Sequence, residues 1–151
     1  MRAVLQRVNF AELRIDNQLY SSIKKGLVVL IGIEDNDGNE DIEWLVKKIS
    51  NMRIFSDSEG KMNLSLLDLK GELLIVSQFT LFAKTKKGNR PSFIDSAKPD
   101  IAIPIYNKTI QDFKSFIGEE KVQTGQFGAN MQILLENDGP VTIQLDTKRK
   151  E

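Results

Sequence analysis

The 151-residue chain contains no cysteine and no histidine, and it has only four prolines and one tryptophan. Each shortage excludes something. Without cysteine there is no disulfide framework, and without cysteine or histidine the two commonest soft or borderline metal ligands are missing, so no metal site is expected. The same absence removes Ser-His-Asp and Cys-His catalysis. Chemistry must come from carboxylates, lysines, hydroxyls, backbone groups or the substrate itself, and no cofactor is expected. The longest apolar run, residues 27–33, is far short of a membrane span, and no hydrophobic signal segment is evident, so a soluble cytoplasmic protein is expected.

Charge of neither sign is in excess. Lys plus Arg and Asp plus Glu number 21 each, so no global field draws in a polyanion and any such partner must be met by a local patch. The distribution is uneven: residues 34–41 are acidic, whereas Lys84, Lys86, Lys87 and Arg90 fall together with no acid between them. A chain of this length is read as one domain, able to bury about 68 to 70% of its unfolded surface.

Residues 4–8 and 12–15 read as strands, followed by a turn at Asp16-Asn17-Gln18 and a strand over 19–23. The continuous apolar run 27–33 suits a strand covered on both faces, at the centre of a sheet. From Asn39 the period changes to helical, with Ile42, Leu45, Val46, Ile49 and Met52 on one face and Asp37 or Asn39 as cap. Trp44 lies off that stripe and reads as a packing or interface residue. Residues 53–55 and 62–66 read as short strands, and 72–82 as a second buried one. A second helix is predicted from Pro99 or Asp100 to Ile117, closed by Gly118, with Ile101, Ile105, Ile110, Phe113 and Ile117 as its apolar face. Residues 121–124, 127–136 and 141–146 return to sheet, and the tail 148–151 is expected to be mobile. Strand runs with two helices interposed predict a single α/β (α+β) domain with a mixed, barrel-like sheet.

Four stretches stand out from bland strand ends and loops, one of them Lys84 to Arg90, which reads either as a place to meet phosphates or as an ordinary solvated loop. Ser77-Gln78-Phe79-Thr80 puts hydrogen-bonding side chains in an apolar strand, where alternation sends Ser77 and Phe79 to one face and Gln78 and Thr80 to the other. It reads either as a strand emerging at a sheet edge or as a reaction centre. Thr80 is the obvious nucleophile, but no histidine exists to activate it, and the segment's backbone N–H groups are better suited to stabilising an oxyanion. Small residues beside Phe127 and Met131 form either a slot for a flat base or ordinary core. Asn137-Asp138-Gly139-Pro140-Val141-Thr142 reads either as a hairpin turn or as stiff backbone held to face a ligand.

Taken together, Ser77-Gln78-Phe79-Thr80-Leu81 and Asn137-Asp138-Gly139-Pro140-Val141-Thr142 resemble the two signature motifs of the D-aminoacyl-tRNA deacylases. The resemblance runs from Met1 to about Thr147 and includes Gln6-Arg7-Val8, Arg53-Ile54-Phe55, Arg90-Pro91-Ser92-Phe93 and Phe127-Gly128-Ala129. It implies a homodimer that hydrolyses the ester between a D-amino acid, or glycine mischarged on the alanine tRNA, and the terminal adenosine of tRNA. It also implies an active site shared between chains, with a cis Gly139-Pro140 entering the partner's pocket as a chirality gate. By the same resemblance Ser77, Gln78, Phe79 and Thr80 line the reaction centre and Phe127 and Met131 hold the adenine. Ala102, Asn137 and Thr142 belong to the substrate-binding set, Arg7 fixes the Gly-Pro orientation, and the substrate's ribose 2′-hydroxyl takes the activating role.

Phe10, Gln126 and Asn130 stand where relatives commonly carry Lys or Arg, Arg and Asp. They leave both signatures intact but remove charge from the region of residues 126–130. Arg7 sets the chain apart from the vertebrate relative whose Gly-Pro bond is trans. Two other classes of function fit the same residues: a non-catalytic dimer that binds tRNA 3′ ends or nucleotides, and a structural dimerisation domain.

Overall fold

The computed structural model describes residues 1–150. In chain order the elements are β1 (Arg2–Ile15), β2 (Gln18–Ile23), β3 (Gly26–Gly32), α1 (Asn39–Asn51), β4 (Phe55–Ser56), β5 (Met62–Leu64), α2 (Leu66–Leu69) and β6 (Glu72–Ser77). A 3₁₀ turn (Phe79–Phe82) follows, then α3 (Pro99–Ile117), a second 3₁₀ turn (Glu119–Lys121), β7 (Val122–Thr124) and β8 (Met131–Asp146). The result is a mixed α+β domain built on a six-stranded, nearly closed barrel-like sheet with three helices.

β1 is the spine. β8 runs antiparallel along its whole length, while β3 pairs with Arg2 to Val8 and β2 with Ala11 to Ile15 on its other edge. β3, β6 and β7 continue the sheet in parallel. The Ser21 hydroxyl donates to the Thr124 carbonyl at 3.0 Å, drawing β2 towards β7 and nearly closing the barrel. β3 is covered on both faces as its sequence predicts. Leu27, Val29 and Ile31 join Leu45, Ile49 and Phe113 in the helix-facing core, whereas Val28 joins Leu13, Leu74 and Val76 in the barrel interior.

Several expectations are corrected. Residues 4–8 and 12–15 belong to one strand. The α1 cap is Gly38, since the Asp37 carboxylate turns inward to the buried Met1 ammonium and the Glu34 N–H, while Asp41 receives the Gly38 N–H. Residues 65–69 are not strand: Ser65 and Asp68 form a reciprocal capping box and start a four-residue helix, a signature present in the sequence as Ser-x-x-Asp. The fully buried residues of α3 are Ala102, Tyr106, Thr109 and Phe113, while of the expected face Phe113 is buried, Ile105, Ile110 and Ile117 pack half-buried against the same core, and only Ile101 is exposed. At the C-terminal tail, the Lys148 ammonium bonds both Asp41 carboxylate oxygens at 2.8 and 2.9 Å and Lys150 lies over the Trp44 ring, contacts that the sequence does not reveal. Burial alone would raise the Asp41 carboxyl, but the Lys148 contact and its other hydrogen bonds hold it down at about 2. Glu151 lies outside the described residues. Among the described residues, no helix is long and apolar enough to cross a membrane.

Candidate active site

The parallel strands end at one rim, the place where open sheets of this kind leave a crevice. β6 stops at Ser77, Gln78 N–H still donates to the Ile31 carbonyl at 2.7 Å, and the chain then coils into the 3₁₀ turn. The predicted strand over 72–82 is therefore too long, and the expected alternation fails. Ser77, Gln78 and Phe79 all line one concavity of about 300 Å³, and Thr80 does not. Its hydroxyl instead accepts from the Gln78 side-chain amide. As the first residues of a 3₁₀ turn, Phe79 and Thr80 have backbone N–H groups without acceptors inside the turn.

The opposite wall comes from α3 and the segment after β7. Ala102, Phe127, Gly128, Ala129 and Met131 line it, with Ile31 and Ile33 from the end of β3 and Ser96 and Ala97 from the approach to α3. The Ala97 N–H donates to the Ile33 carbonyl at 2.9 Å and fixes that approach. Residues 127–130 form a turn and not the expected strand, which begins only at Met131. Of the site residues expected from sequence, Ser77, Gln78, Phe79, Ala102, Phe127 and Met131 thus converge on one pocket.

Tyr106 stands behind this wall, a residue that the sequence reading misses. It follows Ala102 by one helical turn, its hydroxyl donates to the Ile75 carbonyl at 2.9 Å, and its ring packs on Phe127 with centroids 5.7 Å apart. One buried side chain therefore ties α3, β6 and the Phe127 turn together. Burial pushes its phenol well up, against the opposing pull of a Ser77 backbone hydrogen bond, so it stays protonated. The signal is present as the spacing Ala102, Tyr106, Thr109, Phe113. A more hydrophobic isoleucine stripe on the same helix outweighs it.

Among the described residues, none that lines the pocket carries an ionisable side chain. Nor do His, Cys, Asp and Glu among the described residues form a cluster able to hold a metal ion. What the pocket offers is an apolar slot, the Ser77 and Ser96 hydroxyls, the Gln78 amide and turn amides.

The second signature lies elsewhere. Its flanking runs are not the arms of a hairpin, for both pair with β1 in one continuous strand. Gln6 faces Thr142 and Val8 faces Asn137, so two steps along β1 correspond to five along β8 and three surplus residues bulge outward. Gly139-Pro140 is cis and exposed on that bulge. Arg7, only 7% exposed, holds it from beneath: Nε donates to the Asp138 carbonyl at 3.1 Å and Nη1 to the Ile54 carbonyl at 2.6 Å, and the Asp138 carboxylate pairs with Nε. Gly139 has φ +122°, and a Cβ there would stand 2.8 Å from Arg7 Nη2 and 3.0 Å from Val141 Cγ2. On either side, the Thr142 hydroxyl donates to the Gln6 side-chain carbonyl, and Asn137 Oδ1 is buried without a hydrogen-bond partner among the described residues. Arg7, Asn137, Gly139, Pro140 and Thr142 are absent from the pocket lining of their own chain.

Known proteins share this arrangement of sequence and fold. Residues 4–146 match the model of the D-Tyr-tRNA(Tyr) deacylase family. The chain is 58% identical over 151 residues to a Parabacteroides distasonis protein named D-aminoacyl-tRNA deacylase, and 56% identical to one of the same name from Bacteroides thetaiotaomicron, each covering all of both chains. Among solved structures it is similar to the c-Myc DNA unwinding element binding protein, with a TM-score of 0.92 and 39% identity over 97% of this chain and 98% of the other.

Proposed function

Since the chain belongs to the D-Tyr-tRNA(Tyr) deacylase family, we propose that it hydrolyses the ester between a D-amino acid and the terminal adenosine of tRNA, with glycine on the alanine tRNA as a further substrate. Water adds to the ester carbonyl, the 3′ oxygen leaves with a proton, and free amino acid and tRNA are released. The observation that carries this reading is a pocket without any ionisable lining residue, bearing one family signature while the other is displayed outside it.

Such a pocket supplies no general base, which leaves proton handling to the substrate's ribose 2′-hydroxyl. It is suited to holding adenine between Phe127 and Met131 and to meeting the developing oxyanion with the Phe79 and Thr80 amides. Chirality is read by the missing wall. Gly139-Pro140 of a second copy fills the space an L side chain needs, so rejection is a clash against backbone. A side-chain pocket, by contrast, separates groups one methylene apart by only about 1 to 3 kcal/mol. A homodimer is further favoured by β8, which among the described residues pairs only with β1 and leaves a 16-residue edge with Leu134 58% exposed. Long bare edges of this kind are ordinarily covered. The working site is cytoplasmic, where charged tRNA is found.

The deciding experiment is release of tyrosine from D-Tyr-tRNA and L-Tyr-tRNA. Rapid release from the D ester alone is expected, and equal release from both, or none, defeats the reading. A substrate ending in 2′-deoxyadenosine should be cleaved poorly, and light scattering should report a dimer. The name of the solved relative, a DNA-binding protein, favours a second reading in which this chain only binds nucleic acid 3′ ends. Tight binding of an aminoacyl-adenosine analogue without turnover of any ester would support it.

A further inference from the structure

On the deacylase reading the terminal aminoacyl nucleoside occupies the pocket, and the polynucleotide that carries it leaves across a rim. The two rims differ in charge. Residues 125–132 contain no charged side chain, whereas residues 84–98 contain five cations, Lys84, Lys86, Lys87, Arg90 and Lys98, against a single acid, Asp95. A chain with no net charge therefore carries five cations in the one segment that leads to Ser96 and Ala97 of the pocket lining.

That segment is anchored at the pocket and projects from it. Lys84 and Ser92 exchange backbone hydrogen bonds at 2.8 and 3.0 Å, and the Lys84 ammonium is committed to Asp95 at 2.7 Å. These bonds close the loop at its base and leave its tip outside. Lys86, Lys87 and Arg90 are exposed at the tip, with no acid paired to them among the described residues. At the base, Phe79 is 56% exposed although it lines the pocket, and the Phe93 ring meets it edge-on at 5.1 Å. Ile94 beside them is 78% exposed. An aromatic pair with Phe79 exposed and Phe93 half-buried, in a segment with unpaired cations, combines the two elements by which proteins hold single-stranded nucleic acid, stacking surfaces for bases and cations for phosphates.

We infer that the single-stranded 3′ end of the RNA leaves the pocket over Phe79 and Phe93 and that Lys86, Lys87 and Arg90 hold its phosphates. This rests on the deacylase reading for the identity of the strand. The test compares wild type with the Lys86→Gln, Lys87→Gln, Arg90→Gln triple variant on two esters, D-Tyr-tRNA and 3′-O-D-tyrosyl-adenosine, which lacks the strand. The variant should show a KM for D-Tyr-tRNA raised roughly tenfold. Its dependence of log KM on log salt should be shallower by about 0.7 for each phosphate that the variant no longer neutralises, with hydrolysis of the adenosine ester unchanged. An unmoved KM for D-Tyr-tRNA, or equal losses on both esters, overturns the inference. A deacylated oligonucleotide ending in CCA, followed by fluorescence anisotropy, separates this inference from the reading beneath it. If wild type cleaves neither ester yet the variant loses oligonucleotide binding, the surface stands and the deacylase reading falls. If wild type cleaves both and the variant binds the oligonucleotide as well as wild type does, the surface falls and the reading stands.

Discussion

The pocket at the ends of β3 and β6 and the bulge carrying Gly139-Pro140 are built on opposite principles. The pocket is concave, made where five segments converge, and its shape follows from ordinary strand ends and helix packing. The bulge is convex, made from surplus residues in one strand and propped by one buried cation, Arg7. A pocket can be shaped within one chain, but a projecting wedge does something only in what it enters. On the proposed reading, a single copy holds both halves of a site without assembling them.

The contrast breaks most sharply at Gly139. Alanine there puts a Cβ against Arg7 and Val141 at a φ that L residues rarely adopt, so the wedge must move. A displacement of about 1 Å can cost roughly a hundredfold in rate. Gly139→Ala is therefore expected to lower kcat/KM on D-Tyr-tRNA by about that factor, to shrink the D-to-L ratio and to leave adenosine binding in the pocket intact. Unchanged D-to-L selectivity would mean that the wedge does not read chirality.

Arg7→Ala attacks the same wedge from below. It leaves the Ile54 carbonyl without its 2.6 Å donor and frees the Asp138 carbonyl. The expected cost is about 1 to 3 kcal/mol in urea unfolding, together with a loss of D-to-L selectivity larger than the loss of nucleoside affinity. If stability drops and selectivity holds, Arg7 is a structural strut only.

The difference between the regions also governs what can be read from sequence. The order of strands, the covered β3 and both long helices are legible because burial imposes periods of 2 and 3.6 on the residues. The pocket is legible in part: Ser77, Gln78 and Phe79 stand out as polar or exposed residues in an apolar strand. The 3₁₀ turn that sends all three to one side is not, because a strand and a tight turn share the same few residues of pattern. Tyr106 is hidden because the isoleucines beside it pack on the same core and are the stronger apolar signal, so a tyrosine among them does not reveal that it is buried more deeply. The bulge reads equally as a hairpin because Asp-Gly-Pro is turn chemistry in either setting. Only the pairing of both flanks with β1 decides, and that is a long-range fact.

A smaller effect is expected where the pocket is held together from within. Tyr106→Phe keeps the ring against Phe127 and removes the hydroxyl, and the Ile75 carbonyl still receives the Gly125 N–H at 2.9 Å. A loss of about 0.5 to 1.5 kcal/mol in stability and a few-fold rise in KM with kcat nearly unchanged should follow. A fall in kcat with KM fixed would give Tyr106 a part at the reacting atoms.

The smallest effect is expected at the residue that looks most like a nucleophile. Thr80 lies outside the pocket lining, its hydroxyl accepts a hydrogen bond from Gln78, and the lining holds no carboxylate or amine that could take its proton. On the proposed reading Thr80 serves the reaction through its backbone N–H, which truncation of the side chain leaves in place. Thr80→Ala should therefore retain single-turnover hydrolysis of D-Tyr-tRNA to within about tenfold, a loss of about 1.4 kcal/mol at most. Removing a nucleophile on which the reaction depends costs orders of magnitude more. A thousandfold loss with the fold intact by circular dichroism would move the chemistry from substrate and backbone to this side chain, and the wedge would then be guarding a different reaction centre.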